Sequence, residues 1–140
     1  MLQFQTKLRI LKTLDNMLEI GLKHTSSTVV DATNTAIAIG SGDMEVLATP
    51  AMVALMENAA MTAVRNELPE GSTTVGSMIS TSHVKPSKMG AKIEATAELV
   101  GVEGRKLTFK ISAKDEGGVI GEGDHIRYIV DRAKFLSKLQ

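Results

Sequence analysis

One long run of helical periodicity, followed by segment after segment of two-residue alternation, constrains this chain more than any other feature. Residues 49–64, TPAMVALMENAAMTAV, are apolar around most of a helical circumference. They open with Thr49 and Pro50, a helix N-cap followed by proline at the first helical position, where its missing N–H costs nothing. The pattern predicts a helix from Thr49 to about Glu67, closed by Pro69 and Gly71. Beyond it the period changes from 3.6 to 2. Residues 72–84 read as a polar alternating strand ended by Pro86. Ala91, Ile93, Ala95, Ala97 and Leu99 then share one face, with Lys92, Glu94, Thr96 and Glu98 on the other. After a GVEGRK turn, Leu107, Phe109, Ile111 and Ala113 repeat the alternation, and a DEGG turn leads into residues 119–130.

Before the long helix, HTSSTVV and NTAIAI read as two strands interrupted around residues 31–34. The segment DRAKFLSKL makes a short amphipathic close. Leu8, Leu11, Leu14 and Leu18 give residues 2–18 helical spacing, with Met17 an alternative start that leaves residues 1–16 as an N-terminal helical extension. One long helix followed by hairpin-connected strands indicates an α+β fold, an antiparallel sheet of about five or six strands wrapped on a central helix. At 140 residues the expectation is a single domain spanning 1–140. The helix is apolar over more of its surface than one sheet covers, so a homodimer is expected, with pairing into tetramers left open.

Composition removes several classes of function. Lys+Arg and Asp+Glu both total 16, so no electrostatic case exists for nucleic acid or an anionic membrane. Cysteine is absent, which excludes thiolate catalysis and disulfides and fits a reducing cytoplasm. No apolar run reaches membrane-spanning length, and the basic start MLQFQTKLRILK lacks the continuous apolar core of a signal peptide. No HExxH, clustered His/Asp set, GxSxG or GxxxxGK[ST] is present, so no metal is expected. GSGD and GEGD are only loose matches to phosphate-binding loops.

Glu57 is the sole charge in residues 49–64, and its neighbours one helical turn away are Val53, Ala54, Ala60 and Met61. A carboxylate in such surroundings raises its pKa or finds a partner elsewhere in the fold. Thr49 precedes it by eight residues, which at about 100° each leaves the two within roughly a quarter-turn. His83 ends the next strand, on the face of Ile79 and Thr81, and His125 shares a strand face with Arg127. Carboxylate, hydroxyl and imidazole are the parts of an acyl-transfer site, with Glu57 as base or nucleophile, His83 as proton carrier and the first-turn N–H groups as oxyanion donors. Each has a plainer reading: Glu57 in a structural ion pair, Thr49 as a cap only, His83 at the surface, Arg127 paired with Glu122 or Asp124. His24 reads as exposed or structural.

The segments VLATPAMVALMENAA, VGSMISTSHVKP, ATAELVGVEGRKLTFKISAKDE and GEGDHIRYIVD together resemble the hotdog-fold thioesterases of the fluoroacetyl-CoA thioesterase type, from about Met44 to Phe135. The resemblance implies a hotdog fold and hydrolysis of an acyl-CoA thioester by a dimer with sites near the subunit interface. It implies Thr49, Glu57 and His83 as catalytic residues and Gly76, His125 and Arg127 as substrate-binding residues. Coenzyme A enters as part of the substrate, so no separate cofactor is expected. The chain has no aromatic residue between Phe4 and Phe109, so specificity for a fluorinated acyl group is not carried over; a short or medium acyl chain is expected. The alternatives are a non-catalytic acyl-CoA-binding protein and an enoyl-thioester hydratase.

Overall fold

The computed structural model describes residues 18–140; the helical reading of residues 2–18 therefore lies almost wholly outside the described residues. The elements run β1 (Lys23–Val29), α1 (Ala36–Ile39), α2 (Thr49–Arg65), β2 (Ser72–Thr81), β3 (Lys92–Glu103), β4 (Lys106–Asp115), β5 (Gly118–Asp131) and α3 (Arg132–Ser137). The five strands form one antiparallel sheet, as the alternation predicts, and their order is β1-β3-β4-β5-β2. Helix α2 packs against β3 and β1 and reaches β4 and β2 as well, so the sheet curls around it.

The core is where the two periodicities meet. Met52, Met56, Ala59, Ala60 and Val64 form the buried stripe of α2, and the inward sets of β3 and β4 close over it. Ala95, Ala97, Leu99, Leu107 and Phe109 are all fully buried. The outward set carries charge instead. Register pairs Lys23 with Glu98, Glu98 with Lys110 and Lys110 with Asp124, and the first and last of these pairs close ion pairs at 3.5 and 2.6 Å. Opposite charges facing each other across strands suit a solvated face.

Two readings change. NTAIAI is not a second strand: Ala36–Ile39 is one helical turn. Thr35 caps it by accepting from the Ala38 N–H at 3.2 Å, and Gly40 ends it at φ 85°, so end chemistry overrides the β-preference of its isoleucines. Helix α2 starts one residue earlier in role than expected. Its N-cap is Ala48, which supplies no side-chain bond, and Thr49 lies in the first turn with Pro50. The Thr49 hydroxyl is therefore free for another partner.

GEGD lies inside β5. A Cβ on Gly123 would collide with the Ser80 carbonyl of β2, and one on Gly121 with that of Ser82. These two glycines let β2 lie close on β5 and hold the side chains that β2 presents to the helix.

Candidate active site

Helix α2 runs alongside β2, and the seam between them carries two polar stations. At the N-terminal end of the helix, Thr49 Oγ1 lies 2.8 Å from His83 Nδ1. His83 follows the end of β2, where the backbone N–H groups of Ser82 and Val84 still donate to β5 carbonyls. Its Nε2 is buried and has no hydrogen-bond partner among the described residues. Burial lowers the His83 pKa from its ordinary 6.5, opposed by a backbone bond at Lys85. A cleft of about 330 Å³ opens beside this pair, lined by Met44, Val46, Thr49, His83, Val84 and Lys85 among others.

Two helical turns further on, Glu57 meets Arg127. The carboxylate Oε2 lies 3.7 Å from Arg127 Nη1, with the arginine side chain 7% and the glutamate side chain 42% exposed. The charge isolated in sequence thus finds its partner on β5. Arg127 pairs with neither Glu122 nor Asp124, since its guanidinium turns inward. Its Nε donates to Thr74 Oγ1 at 2.8 Å, its Nη2 to the Thr74 carbonyl at 3.0 Å, and its Nη1 to His125 Nε2 at 3.2 Å. His125 Nδ1 donates to the Met78 carbonyl at 2.7 Å, which makes Nε2 the accepting nitrogen of a neutral ring. Burial chiefly, and Arg127 beside it, lower the His125 pKa below 6.5 against the opposing effects of Met78 and Glu57. Burial also pulls Arg127 down, with Glu57 opposing; an arginine remains charged.

A β-bulge makes this arrangement possible. The β2–β5 register runs Gly76 to Arg127 and then Met78 to Ile126, with Ser77 as the extra residue. A Cβ on Gly76 would stand 2.8 Å from Glu57 Oε2 and 3.4 Å from both Arg127 Nη1 and His125 Cε1. Glycine is thus what lets carboxylate, guanidinium and imidazole approach one point.

The six residues singled out in the sequence fall into these two stations, Thr49 with His83 and Glu57 with Gly76, His125 and Arg127. Within one chain Glu57 does not reach His83: eight residues of helix separate it from Thr49 by about 12 Å of axial rise, and Glu57 does not line the His83 cleft. Thr74 and the Met78 carbonyl had no signal in sequence beyond their place on a strand. His24 is in β1, as expected. Among the described residues no group of three or more His, Asp or Glu is arranged to hold a metal, and no helix is long and apolar enough to cross a membrane.

The buried His125 gives a test of this geometry by stability. A histidine whose folded pKa lies below its unfolded value of 6.5 binds protons more readily when unfolded, so its contribution is intact above that pH and is lost as pH falls further. Urea unfolding is expected to show stability falling below about pH 6.5, with a slope of at most ~1.4 kcal/mol per pH unit for this proton. His125→Gln is expected to flatten the slope, His83 leaving a remainder of the same sign. An unchanged slope would place His125 outside the buried network.

A curled antiparallel sheet around one long helix is the architecture of the hotdog fold, the fold of hotdog thioesterases. Comparison with known proteins agrees. A hot-dog-like protein from Thermanaerovibrio acidaminovorans shares the fold at 21% identity, with a TM-score of 0.82 over 90% of this chain and 93% of that one. A solved structure of fluoroacetyl-CoA thioesterase is 33% identical, with a TM-score of 0.82 over 87% of this chain and 95% of the other. The fluoroacetyl-CoA thioesterase of Streptantibioticus cattleyicolor is 38% identical over 96 residues, 69% of each chain. The family described as fluoroacetyl-CoA-specific thioesterase matches residues 19–133, and the chain belongs to it. It is a thioester hydrolase.

Proposed function

We propose that the substrate is a short or medium acyl-CoA thioester, cleaved to the free acid and coenzyme A by Glu57, His83 and Thr49, with Gly76, His125 and Arg127 holding the acyl end. The observation that carries this reading is the complementarity of the two stations. One offers a buried imidazole nitrogen without a partner among the described residues, the other a carboxylate whose side chain is 42% exposed. A variant of fluoroacetyl-CoA thioesterase solved with fluoroacetate and CoA, 33% identical with a TM-score of 0.79 over 84% of this chain, supports a CoA thioester as the ligand class. The cleft beside His83 offers Val46, Leu47 and Val84 but no Phe, Tyr or Trp among its lining, which suits a small acyl group better than an aromatic one.

The proposed chemistry joins Glu57 of one copy to His83 of another. Glu57 takes a proton from water, or attacks the carbonyl carbon itself to form an anhydride that water opens. The carbonyl π electrons move to oxygen, the tetrahedral intermediate collapses with loss of the C–S bond, and neutral His83 carries, through Nε2, the proton that the water loses to the departing thiolate. Thr49 fixes the ring by its contact at Nδ1, which directs Nε2 to the substrate.

A second copy is part of the proposal. Strand β2 is the outermost of the sheet, ten residues long and without a charged side chain, STTVGSMIST. Such an edge invites pairing with another chain, whereas the opposite edge strand β1 begins with Lys23. Near the end of β2, in the cleft at His83, Met44 is 65% exposed. Association along β2 would flank both stations and bring Glu57 of one copy toward His83 of the other. The reading extends to a cytoplasmic homodimer.

Thiol release from a panel of acyl-CoA substrates tests the function. Because burial holds His83 below its ordinary 6.5, it stays neutral to lower pH, and kcat/KM is expected to hold through about pH 6.5 and fall only in more acidic solution. Binding of acyl-CoA without thiol release would leave a binding protein, and a 3-hydroxyacyl product a hydratase. Sedimentation as a monomer at assay concentration, with full activity, would overturn the two-copy site.

A further inference from the structure

We infer that Thr74 is a positioning residue, which aims Arg127 at Glu57 by holding the opposite edge of the guanidinium; the inference rests on the proposed role of Glu57. A guanidinium has five N–H donors in a rigid plane. Thr74 takes two of them from one residue, Nε through its hydroxyl at 2.8 Å and Nη2 through its carbonyl at 3.0 Å. His125 takes a third from Nη1 at 3.2 Å. The ring can do so because the Met78 carbonyl, just past the bulge, holds the proton on Nδ1. Thr74, His125 and Arg127 are 5%, 1% and 6% exposed, so water does not replace a broken bond easily.

The contrast with Glu57 is what assigns the role. The carboxylate stands 3.7 Å from Nη1, beyond hydrogen-bond length, and its attraction has no angular preference. Charge alone does not orient the arginine; the bonds to Thr74 and His125 do. Turning the guanidinium about its long axis would break both Thr74 bonds in a buried site. Arg127 therefore offers Glu57 and an incoming polar atom a fixed edge, prepared before substrate arrives. A valine at position 74 would fill the same volume on the inward face of β2 and would leave Nε without its partner.

The test compares Thr74→Val, which removes the hydroxyl at constant shape, with Thr74→Ser, which keeps it. Thr74→Val is expected to lower kcat about tenfold with KM moved less than about twofold, and Thr74→Ser to restore most of the loss. In a Glu57→Gln background Thr74→Val is expected to add little, since the same edge is already unused. Wild-type kcat in Thr74→Val, equal losses in both variants, or a full additional loss in the Glu57→Gln background would each overturn the inference. A readout on the unaltered protein stands apart from variant folding and from catalysis. The Arg127 Nε–H resonance, assigned by its loss in Arg127→Lys, is expected to exchange slowly with solvent. Rapid exchange overturns the clamp. Wild-type turnover in Glu57→Gln would instead remove the proposed function while leaving that resonance as evidence for the geometry.

Discussion

Glu57→Gln is expected to lower kcat by about 10²–10⁴-fold while the protein remains folded, whether the carboxylate acts as base or nucleophile. The amide keeps the shape of the side chain and loses the proton acceptor. Its structural cost is expected to be small for a site that contains a buried arginine. Thr74 and His125 already accept three of the Arg127 donors, and the Glu57 side chain is 42% exposed, so solvent screens much of the ion pair. A loss of about 1–2 kcal/mol in urea unfolding is the expected size. The two readings of Glu57, catalyst and structural ion pair, separate on this ratio. Thiol release and unfolding are measured on the same sample. Near-normal turnover together with a loss of several kcal/mol would make Glu57 a structural partner of Arg127 and nothing more.

How far the sequence foretold this arrangement depends on the reach of each interaction. The faces of β3 and β4 were readable because alternation is a local property, and all of Ala91, Ile93, Ala95, Ala97 and Leu99 turn inward. Glu57 stood out for the same reason: its apolar neighbours are near in sequence. The helical turn at Ala36–Ile39 was misread because Ile37 and Ile39 favour strands, while the deciding groups, the Thr35 hydroxyl and Gly40, act only at the ends. Thr49 reads both as a cap and as a partner in the acyl-transfer trio, and its hydroxyl turns to His83, 34 positions away. The partner of Glu57 was the least legible, since the Arg127 contact depends on β5 register, on the bulge at Ser77 and on Thr74 occupying the far edge. No local pattern encodes a pairing that closes only when helix, edge strand and neighbouring strand have assembled.

Phe109→Ala is expected to be the most damaging single change in the core, at about 3–5 kcal/mol. Phe109 is fully buried on β4, in register with Leu99 on one side and His125 on the other. Of the remaining aromatics among the described residues, Phe135 and Tyr128 are 37% and 40% exposed, so this ring is the one large anchor of the interior. The upper part of the range is expected because the buried cluster it belongs to is rich in short side chains. Ala59, Ala60, Ala95, Ala97 and Ala113 are all buried, and an alanine cannot extend into a neighbouring hole. Against a total stability of about 5–15 kcal/mol, the variant is expected to lose roughly 10–20 °C in Tm. Its urea midpoint should fall at nearly constant slope, the sign of lost stability without a change in unfolded compactness. The His125 ring lies 6.1 Å from that of Phe109, centre to centre, so the cavity also loosens the imidazole that holds Arg127. Phe109→Leu keeps most of the volume and should cost about 1.5 kcal/mol or less. If alanine costs no more than leucine, the sheet collapses onto the helix without the ring, and the interior is more compliant than its packing indicates.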